Sequence, residues 1–437
     1  MFFAQVATPP AQEIVQPQEI RALPGELDQT PVFNSNSPEL ILEEGILLST
    51  FPPFGENPAV HLNFPFSGRF DIFAHHVAKA PAPEDLRTLY LGILLHNPTQ
   101  ATVTVDVLEA ATHLSQPDAP FIELPAQVPT PQVDIYAGPG SRVMGDILWG
   151  RQQEMFPAQL KIPPGQSRML LNVPIPVATL DPPINGRSTY IRLNSTDTIY
   201  AASLSMYAPI GEEGQERAPT LPEWQQLLNQ GELAGPRDRP PTPLNTTGNL
   251  VYGRVAGVSQ GGQWQTTLSD PGSVSLAIPT SGQAFSYGLS TLEQGTFGSD
   301  QTQSAPMLVR YPDTAYQAHG NYGVQYSLTL PLINPTAETH TVTVSLQTPI
   351  KKNEGESLEF FDPPPEQVFF RGPVLIRYTD DRDLPRTRYF HLVQQRGQPG
   401  EPLATLTMPP GDRRLVEIEF LYPPDATPPQ VLTVRTL

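Results

Sequence analysis

The segment from Tyr311 to Tyr326 contains residue types with which proteins bind sugars. Tyrosine rings stack on sugar rings, and carboxylate and amide groups form hydrogen bonds with sugar hydroxyls. The alternative interpretation is a structural loop packed by its own tyrosines, and the sequence alone favours that alternative. If the segment binds a ligand, we expect the contacts to come from Tyr311, Asp313, Tyr316, His319, Asn321 and Tyr322.

A metal site is a second chemistry that the residue types suggest. Four candidate ligands lie close together in the sequence, namely His61, Asp71, His75 and His76. Adjacent side chains on a strand point to opposite faces, so His75 and His76 cannot both ligate one ion. The acidic turns 354–356 and 380–383 lack the spacing of a calcium loop. We therefore expect no cofactor, with calcium at the end of a sandwich as the open alternative.

The sequence has no compelling signature of an enzyme. It contains no cysteine and no His-Glu-x-x-His zinc motif. Paired carboxylates for glycoside hydrolysis depend on spacing in three dimensions, so that alternative stays open. The segments 138–140 and 261–262 are interpreted as glycine turns that open no helix, which argues against a phosphate site. The prediction is a protein that is not an enzyme.

Composition indicates the class of fold and excludes some partners. Proline accounts for 53 of the 437 residues, more than twice the usual share of about 5%. Because proline breaks helix interiors but is tolerated at strand edges and turns, an all-β protein is predicted. The net charge of −18 argues against nucleic acid and anionic membranes, since both require basic patches. No apolar run approaches the roughly 18 residues of a spanning helix, so no membrane span is expected.

Two distant parts of the chain share the same order of strand and turn signals. Asn97-Pro98-Thr99 and Asn334-Pro335-Thr336 each separate two strands of alternating polarity. Pro163-Pro164-Gly165 and Pro409-Pro410-Gly411 each precede a further strand. Short strands with regularly spaced turns are typical of a β-sandwich. The pattern therefore predicts an internal repeat, with two related immunoglobulin-like β-sandwich modules joined by a proline-rich linker that holds one short helix.

Local signals predict the elements around that linker. Ser188–Tyr207 reads as two strands that turn at Asn194–Asp197, which predicts a hairpin. A helix is predicted over 221–231, since Thr220 can cap its start and Gly231 can end it. The predicted divisions are an N-terminal segment 1–38, a first module 39–209, a linker 210–248, and a second module 249–437 with a Gly- and Tyr-rich insertion at 250–326.

The first residues suggest the compartment of the protein. Phe3-Ala4-Gln5 resembles a signal-peptide cleavage site that lacks its charged and apolar portions. An ordinary N-terminus is the alternative. We expect a protein that is exported to the periplasm or the cell surface.

Several segments together resemble a known family. These segments are Gly235–Asp238, Tyr252–Gly257, Gln303–Tyr311 and Ala318–Gly323. Through them the chain is similar, over nearly its whole length, to an uncharacterised family of exported cyanobacterial proteins that is classed as a domain of unknown function. The resemblance implies a cyanobacterial source and export, but it implies no activity and no functional residues.

Three functions are compatible with the sequence. The first is a non-catalytic structural or binding protein of the cell envelope, whose partner is an envelope polysaccharide or another envelope protein. The second is a carbohydrate-active enzyme with a β-sandwich fold, which needs two converging carboxylates. The third is an assembly or chaperone-like module that pairs through an exposed sheet edge. We expect the first, with no nucleic acid as a partner.

Overall fold

The computed structural model describes residues 11–132, 134–244 and 246–437; the signal-like residues 3–5 lie outside this part of the chain. Within it the protein is mainly short strands, as expected for an all-β protein, with α1 at Pro139–Leu148, α2 at Leu221–Gln230 and a 3-10 turn at Pro58–Val60. The strands are β1 Gln12–Pro17, β2 Glu19–Arg21, β3 Pro31–Ser35, β4 Leu40–Ile41, β5 Gly45–Ser49, β6 Phe66–Lys79, β7 Leu89–His96, β8 Val103–Leu114, β9 Gln127–Pro129, β10 Gln159–Ile162, β11 Ser167–Ile175, β12 Ile184–Tyr207, β13 Ala256–Gln260, β14 Gln263–Thr267, β15 Leu276–Ala277, β16 Ala284–Leu289, β17 Ala305–Arg310, β18 Gln317–Ala318, β19 Gln325–Ile333, β20 His340–Gln347, β21 Ser357–Asp362, β22 Val368–Thr379, β23 Pro385–Gln395, β24 Pro402–Met408, β25 Arg413–Leu421 and β26 Gln430–Thr436.

Two layers of strands form what we call the first sandwich. One layer follows the order β10-β8-β12-β6-β3-β13-β17-β18, and the other pairs β11, β7, β12 and β5. Successive side chains on a strand point to opposite faces, so alternate apolar residues of both layers meet in one core. That core includes Phe70, Ile72, Leu91, Ile93 and Val105.

Strand β12 runs from Ile184 to Tyr207, so the predicted hairpin with a turn at Asn194–Asp197 is wrong. Its first half pairs with β6 and β8, and its second half pairs with β7 and β5 in the other layer. The register shifts between Ser195 and Ile199, where the Ser195 hydroxyl donates to the Asp197 carbonyl at 2.6 Å. A bulge bends a strand without reversing it, so the polar residues form a corner between the layers.

A second pair of layers forms what we call the second sandwich. One layer follows the order β14-β19-β25-β22-β23-β9, with β15 also paired to β19, and the other follows β2-β16-β26-β20-β24. The core between them includes Leu328, Leu330, Val344, Ile418 and Val434. The chain therefore contains two sandwich-like units with separate cores.

The two sandwiches are interleaved along the chain rather than consecutive. Strand β2, from the N-terminal segment, and β9 join layers of the second sandwich. Strands β13 and β17 come from the segment 250–326, yet they extend a layer of the first sandwich. Val258 and Tyr311 accordingly lie in the first core. Strand pairing thus crosses the predicted limits at 38 and 249.

Helix α1 lies between the sandwiches. It begins at Pro139, so the expectation that residues 138–140 open no helix is wrong, and the chain has a helix besides the one expected. Gly138, at its N-cap, has φ of 87°, a conformation that glycine adopts without steric cost, and proline suits the first helical position. The helix packs in an apolar cluster that links the sandwiches and contains Val32, Phe73, Ala111, Val143, Met144, Ile147, Tyr190 and Leu421.

Helix α2 confirms the helix predicted after Thr220. Thr220 and Glu223 form a reciprocal capping box, which satisfies backbone donors at the start of the helix. Trp224 and Leu228 are buried against the outer face of the first sandwich. Neither of the described helices is long and apolar enough to cross a membrane.

Candidate functional site

A cavity of about 260 Å³ lies where the two sandwiches meet; we call it the junction cavity. Strand β3 and the segment before β13 supply one wall, and the connection from β18 to β19 supplies another. The third wall comes from the second sandwich. Among the residues that line the cavity are Asn34, Asn36, Tyr252, Arg254, Leu292, His319, Tyr322, Lys351, Thr427 and Pro428.

Two asparagines, Asn34 in β3 and Asn36 directly after its end, are the most unusual part of this wall. Phe33 packs in the first core, and Ser35 bonds to His76 and Ser203 there, so Asn34 and Asn36 face the other way. Each asparagine is only 4% exposed. Within the part of the chain that the structure describes, the side-chain oxygen of neither has a hydrogen-bond partner. Buried polar atoms are normally bonded, so this pair requires an explanation.

Aromatic groups form the next part of the wall. The rings of Tyr252 and His319 lie with their centroids 4.4 Å apart. Burial, and to a lesser extent the nearby Lys351, lower the pKa of His319 to about 4, so the imidazole is neutral at pH 7. The Tyr322 hydroxyl donates to the Ala426 carbonyl at 3.1 Å, which fixes that ring between the sandwiches.

Cations near the cavity differ in how they are paired. Arg254 forms ion pairs with Glu39 and Asp238. The Lys351 ammonium lies 5.3 Å from the centroid of the Tyr252 ring. It forms no ion pair with any residue that the structure describes. The lining contains no aspartate or glutamate among the described residues, although the chain as a whole carries a charge of −18.

The structure brings only some of the sequence-predicted residues to this cavity. His319, Asn321 and Tyr322 line it, whereas Tyr316 lies at a smaller neighbouring cavity beneath Arg310. Asp313 forms an ion pair with Arg237 at 2.7 Å. The remaining predicted residue, Tyr311, lies elsewhere.

Tyr311 and Asn321 have structural contacts that occupy their polar atoms. Tyr311 is 1% exposed, and its hydroxyl donates to the Val60 carbonyl at 2.7 Å, so it presents no ring face to a sugar. The Asn321 oxygen accepts from the Ala305 amide, and its nitrogen donates to the Gln303 carbonyl at 2.8 Å. The side chains of both residues therefore bond within the fold.

The histidines considered as metal ligands are used in the fold. His76 bonds to Ser35 and to the Pro38 carbonyl, while His75 bonds to Ser188 on the opposite face of β6. Among the described residues, no group of three or more His, Cys, Asp or Glu side chains is arranged to hold a metal ion. The acidic turn is also bonded internally, since Asp380 accepts from the Arg382 and Leu384 amides.

A Gly-x-Ser-x-Gly pattern at 257–261 does not form a nucleophile elbow. That motif acts when its serine lies on a sharp turn between a strand and a helix. Here Ser259 lies within strand β13, is 2% exposed, and is followed by strand β14. The pattern is therefore part of a sheet.

A second concave surface lies on the first sandwich beside α2; we call it the aromatic groove. Its volume is about 390 Å³. Phe51 lies 5.3 Å from His96 and 5.9 Å from Tyr200, measured between ring centroids. Gln225 and Asn229 of α2 face these rings. The groove is larger than the junction cavity. Among the described residues, every buried polar side-chain atom that lines the groove has a hydrogen-bond partner, which is not true of the junction cavity.

The residues that sequence reasoning missed are Asn34, Asn36, Tyr252, Arg254 and Lys351. One signal was available for the first two. Val32-Phe33-Asn34-Ser35-Asn36 places two amides at alternate positions of a buried segment that comprises β3 and the residue after it. The others come together only through pairing of distant strands.

Comparison with known proteins identifies a family but no activity. No curated protein matches the sequence. A mycobacterial arabinofuranosyltransferase, AftD, solved by cryo-electron microscopy, aligns at 11% identity with a TM-score of 0.12. That alignment covers 97% of this chain and 35% of the other, so this chain spans about a third of that chain's length, and at this TM-score the match carries no information about fold. A model of the family described as "Protein of unknown function (DUF3370)" matches residues 18–436, and the chain belongs to that family.

Proposed function

We propose that the protein is an exported, non-catalytic binding protein of the cell envelope that holds a small saccharide in the junction cavity. The observation that carries this proposal is the pair of unbonded oxygens on Asn34 and Asn36. An unsatisfied buried polar atom costs about 1–3 kcal/mol of folding free energy. Ligand hydroxyls that donate to these oxygens would offset that cost in the bound state.

The size and composition of the cavity support a saccharide as the ligand. At about 260 Å³, it is smaller than the roughly 300–1,000 Å³ of pockets that hold drug-sized molecules. One sugar ring with its substituents is of suitable size. Tyr252, His319 and Tyr322 supply aromatic surface, which is the usual partner of the apolar face of a sugar.

The lining also supports binding rather than hydrolysis. Glycoside hydrolases use two carboxyl groups that flank the scissile bond. None of the residues that line the cavity, within the described ranges, is an aspartate or a glutamate. The non-catalytic role is therefore favoured over a carbohydrate-active enzyme.

The free sheet edges give less support to an assembly module that pairs by strand addition. Strand β24 ends a layer of the second sandwich, and the Thr407 amide on it donates to the Asp381 carboxylate at 2.9 Å. Strand β10 is four residues long and lies between Pro157 and Pro163. Short, capped or proline-flanked edges discourage pairing with another strand.

Export and an envelope polysaccharide as the source of the ligand are part of the same proposal. They are supported by the signal-like Phe3-Ala4-Gln5. We also propose that the two sandwiches arose by duplication. The support is the matching Asn-Pro-Thr turns, in which Asn97 and Asn334 each donate to two backbone carbonyls.

A glycan array with the full chain, followed by titration calorimetry with the glycans that bind, tests the proposal. The decisive variant is Asn36→Ala, because it removes an atom that the unliganded protein does not bond. We expect the affinity to fall roughly tenfold, which corresponds to one hydrogen bond of about 1.4 kcal/mol. The unliganded variant should be at least as stable as the wild type.

The matched control is Asn229→Ala, which removes the same side chain from the aromatic groove. We expect no change in affinity for this variant. If Asn229→Ala abolishes binding and Asn36→Ala does not, the saccharide binds in the aromatic groove and the proposed site is wrong. If no glycan binds, the proposed function is wrong.

A further inference from the structure

Two adjacent lysines at the junction cavity have different surroundings. Lys352 donates to the Ser357 hydroxyl and forms an ion pair with Glu359 at 2.6 Å. Lys351 lines the cavity, and its stem lies against Gly295. It has no ion pair or side-chain hydrogen bond with any residue in the described ranges. Its charge is therefore available to a ligand.

The cavity also has an unusual charge for this protein. The chain carries a net charge of −18, but the two charged residues that line the cavity, Arg254 and Lys351, are both cations. Glu39 and Asp238, which lie outside the lining, already pair with Arg254. His319 is neutral at pH 7, because burial lowers its pKa to about 4. The remaining charge in the cavity is that of the Lys351 ammonium.

Hydrogen-bond acceptors and a positively charged group therefore lie in the same cavity. The unbonded oxygens of Asn34 and Asn36 require donors, which hydroxyl groups provide. The ammonium of Lys351 has three donors and no acceptor, and its positive charge is balanced best by an anion. A neutral sugar can bond to both groups but leaves this charge unbalanced, and a simple inorganic anion lacks the hydroxyls that donate to the asparagines.

Resting on the proposed function, we infer that the ligand is a sugar acid, whose carboxylate pairs with Lys351 while its hydroxyls donate to Asn34 and Asn36. A carboxylate carries one negative charge and is matched by one unpaired ammonium. A phosphate monoester carries nearly two negative charges and would leave part of its charge unbalanced. The geometry thus favours a uronate over a sugar phosphate.

Titration calorimetry with two matched sugars tests this inference. The probes are D-glucuronate and its uncharged methyl ester, which have the same ring and the same hydroxyls. We expect the wild type to bind glucuronate at least tenfold more tightly than the ester at low salt. A glucuronate-containing oligosaccharide, added as a third probe, separates a polysaccharide source from the free sugar acid.

Variants of the two lysines complete the test. Lys351→Met keeps the aliphatic stem and removes the charge, so it should bind glucuronate and the ester equally. Lys352→Met removes a charge that Glu359 already pairs, and it should retain the wild-type preference. Circular dichroism of both variants confirms that they fold.

The outcomes separate this inference from the proposed function. If the ester binds as tightly as glucuronate, or if Lys351→Met keeps the preference for the acid, the inference is wrong and saccharide binding stands. If neither probe binds while another neutral glycan binds in a manner that depends on Asn36, the sugar acid is again wrong. If no sugar of either kind binds, both proposals are wrong.

Discussion

The carboxylate of Asp425 accepts a hydrogen bond from the Ser141 amide at 3.2 Å, in the first turn of helix α1. Asp425 belongs to the second sandwich, whereas α1 packs against strands of both sandwiches. The helix N-terminus, where backbone amides and the helix dipole attract an anion, is therefore occupied by a side chain of the protein. The contact joins the loop before β26 of the second sandwich to the helix that lies between the sandwiches.

We predict that Asp425→Ala lowers the free energy of unfolding by about 1–3 kcal/mol, because the Ser141 amide loses its acceptor. Asp425→Asn keeps an acceptor and should cost about 1 kcal/mol or less. Burial raises the pKa of Asp425, with His75 and Arg371 opposing the rise, so removal of the charge offsets part of the loss. Urea denaturation at pH 7 measures both values. An equal loss in the two variants would mean that the charge, and not the acceptor, stabilises the junction.

The Asn-Pro-Thr turns provide a second prediction. Asn97 is fully buried, donates to the Ala101 and Ile162 carbonyls, and accepts from the Thr99 amide at 2.8 Å. Asn334 makes the corresponding bonds to Glu338, Met408 and Thr336. Each substitution by alanine should lower the free energy of unfolding by about 2–3 kcal/mol, since buried carbonyls lose their donor.

The double variant Asn97→Ala, Asn334→Ala should show the sum of the two losses within about 0.5 kcal/mol, because the sites share no partner. Thr99→Ala, which removes two exposed hydrogen bonds to the Ala101 backbone, is the control and should change stability by about 0.5 kcal/mol or less. A loss below about 1 kcal/mol for either asparagine would contradict the assigned role.

Local sequence signals predicted local structure well and spatial arrangement poorly. The all-β class and helix α2 follow from proline content, strand alternation and the start and stop residues Thr220 and Gly231, which are all local signals. Strand β12 was missed because Asn194–Asp197 has the composition of a turn, and only pairing with both layers shows that it is a bulge. Helix α1 was missed because glycine and proline at its start also resemble a turn.

The candidate site was predicted only in part for the same reason. His319 and Tyr322 lie in one loop, so the residue types of that loop indicate it as a candidate site. Lys351 and Asn34 come from distant positions and line one cavity only because β3 pairs in the first sandwich while Lys351 follows β20 of the second. No spacing along the chain indicates that they share a cavity.

Stability should fall in mild acid because several histidines are buried. Burial lowers the pKa of His61, His319 and His391 to about 4, and that of His76 to about 3. Between the unfolded value of about 6.5 and these folded values, the unfolded chain binds more protons. The free energy of unfolding should therefore decrease as the pH falls from about 6.5 to about 4, by at most about 1.4 kcal/mol per pH unit for each histidine.

Urea denaturation at a series of pH values checks this slope. His391 is the most suitable variant, because it is 1% exposed and its Nε2 has no partner among the described residues. His391→Leu should reduce the slope of the free energy of unfolding against pH by about 1 kcal/mol per pH unit. The effect of the substitution on stability should therefore differ between pH 7.5 and pH 5, and it should be smaller at pH 7.5. An unchanged slope would show that His391 is not protonated on unfolding in this range.

Gly323 joins the cavity loop to β19, and its replacement should damage both the fold and the site. Its φ is +86°, and a Cβ at this position would overlap the ring of Tyr190. Gly411 has φ of +75°, and a Cβ at this position would have no atom within 4 Å. Its replacement therefore tests backbone strain without steric overlap. Gly411→Ala should lower the free energy of unfolding by about 1–2 kcal/mol, the cost of a left-handed conformation.

We predict that Gly323→Ala costs more, about 2–4 kcal/mol, because overlap with a fully buried ring adds to the strain. The loop that carries His319 and Tyr322 must then move, so saccharide affinity should also fall, whereas Gly411→Ala should bind as the wild type does. Urea denaturation and calorimetry with the same glycan separate the two effects. Equal losses of stability in the two variants would indicate that Tyr190 moves aside freely, and unchanged affinity in Gly323→Ala would show that the loop does not form the binding wall.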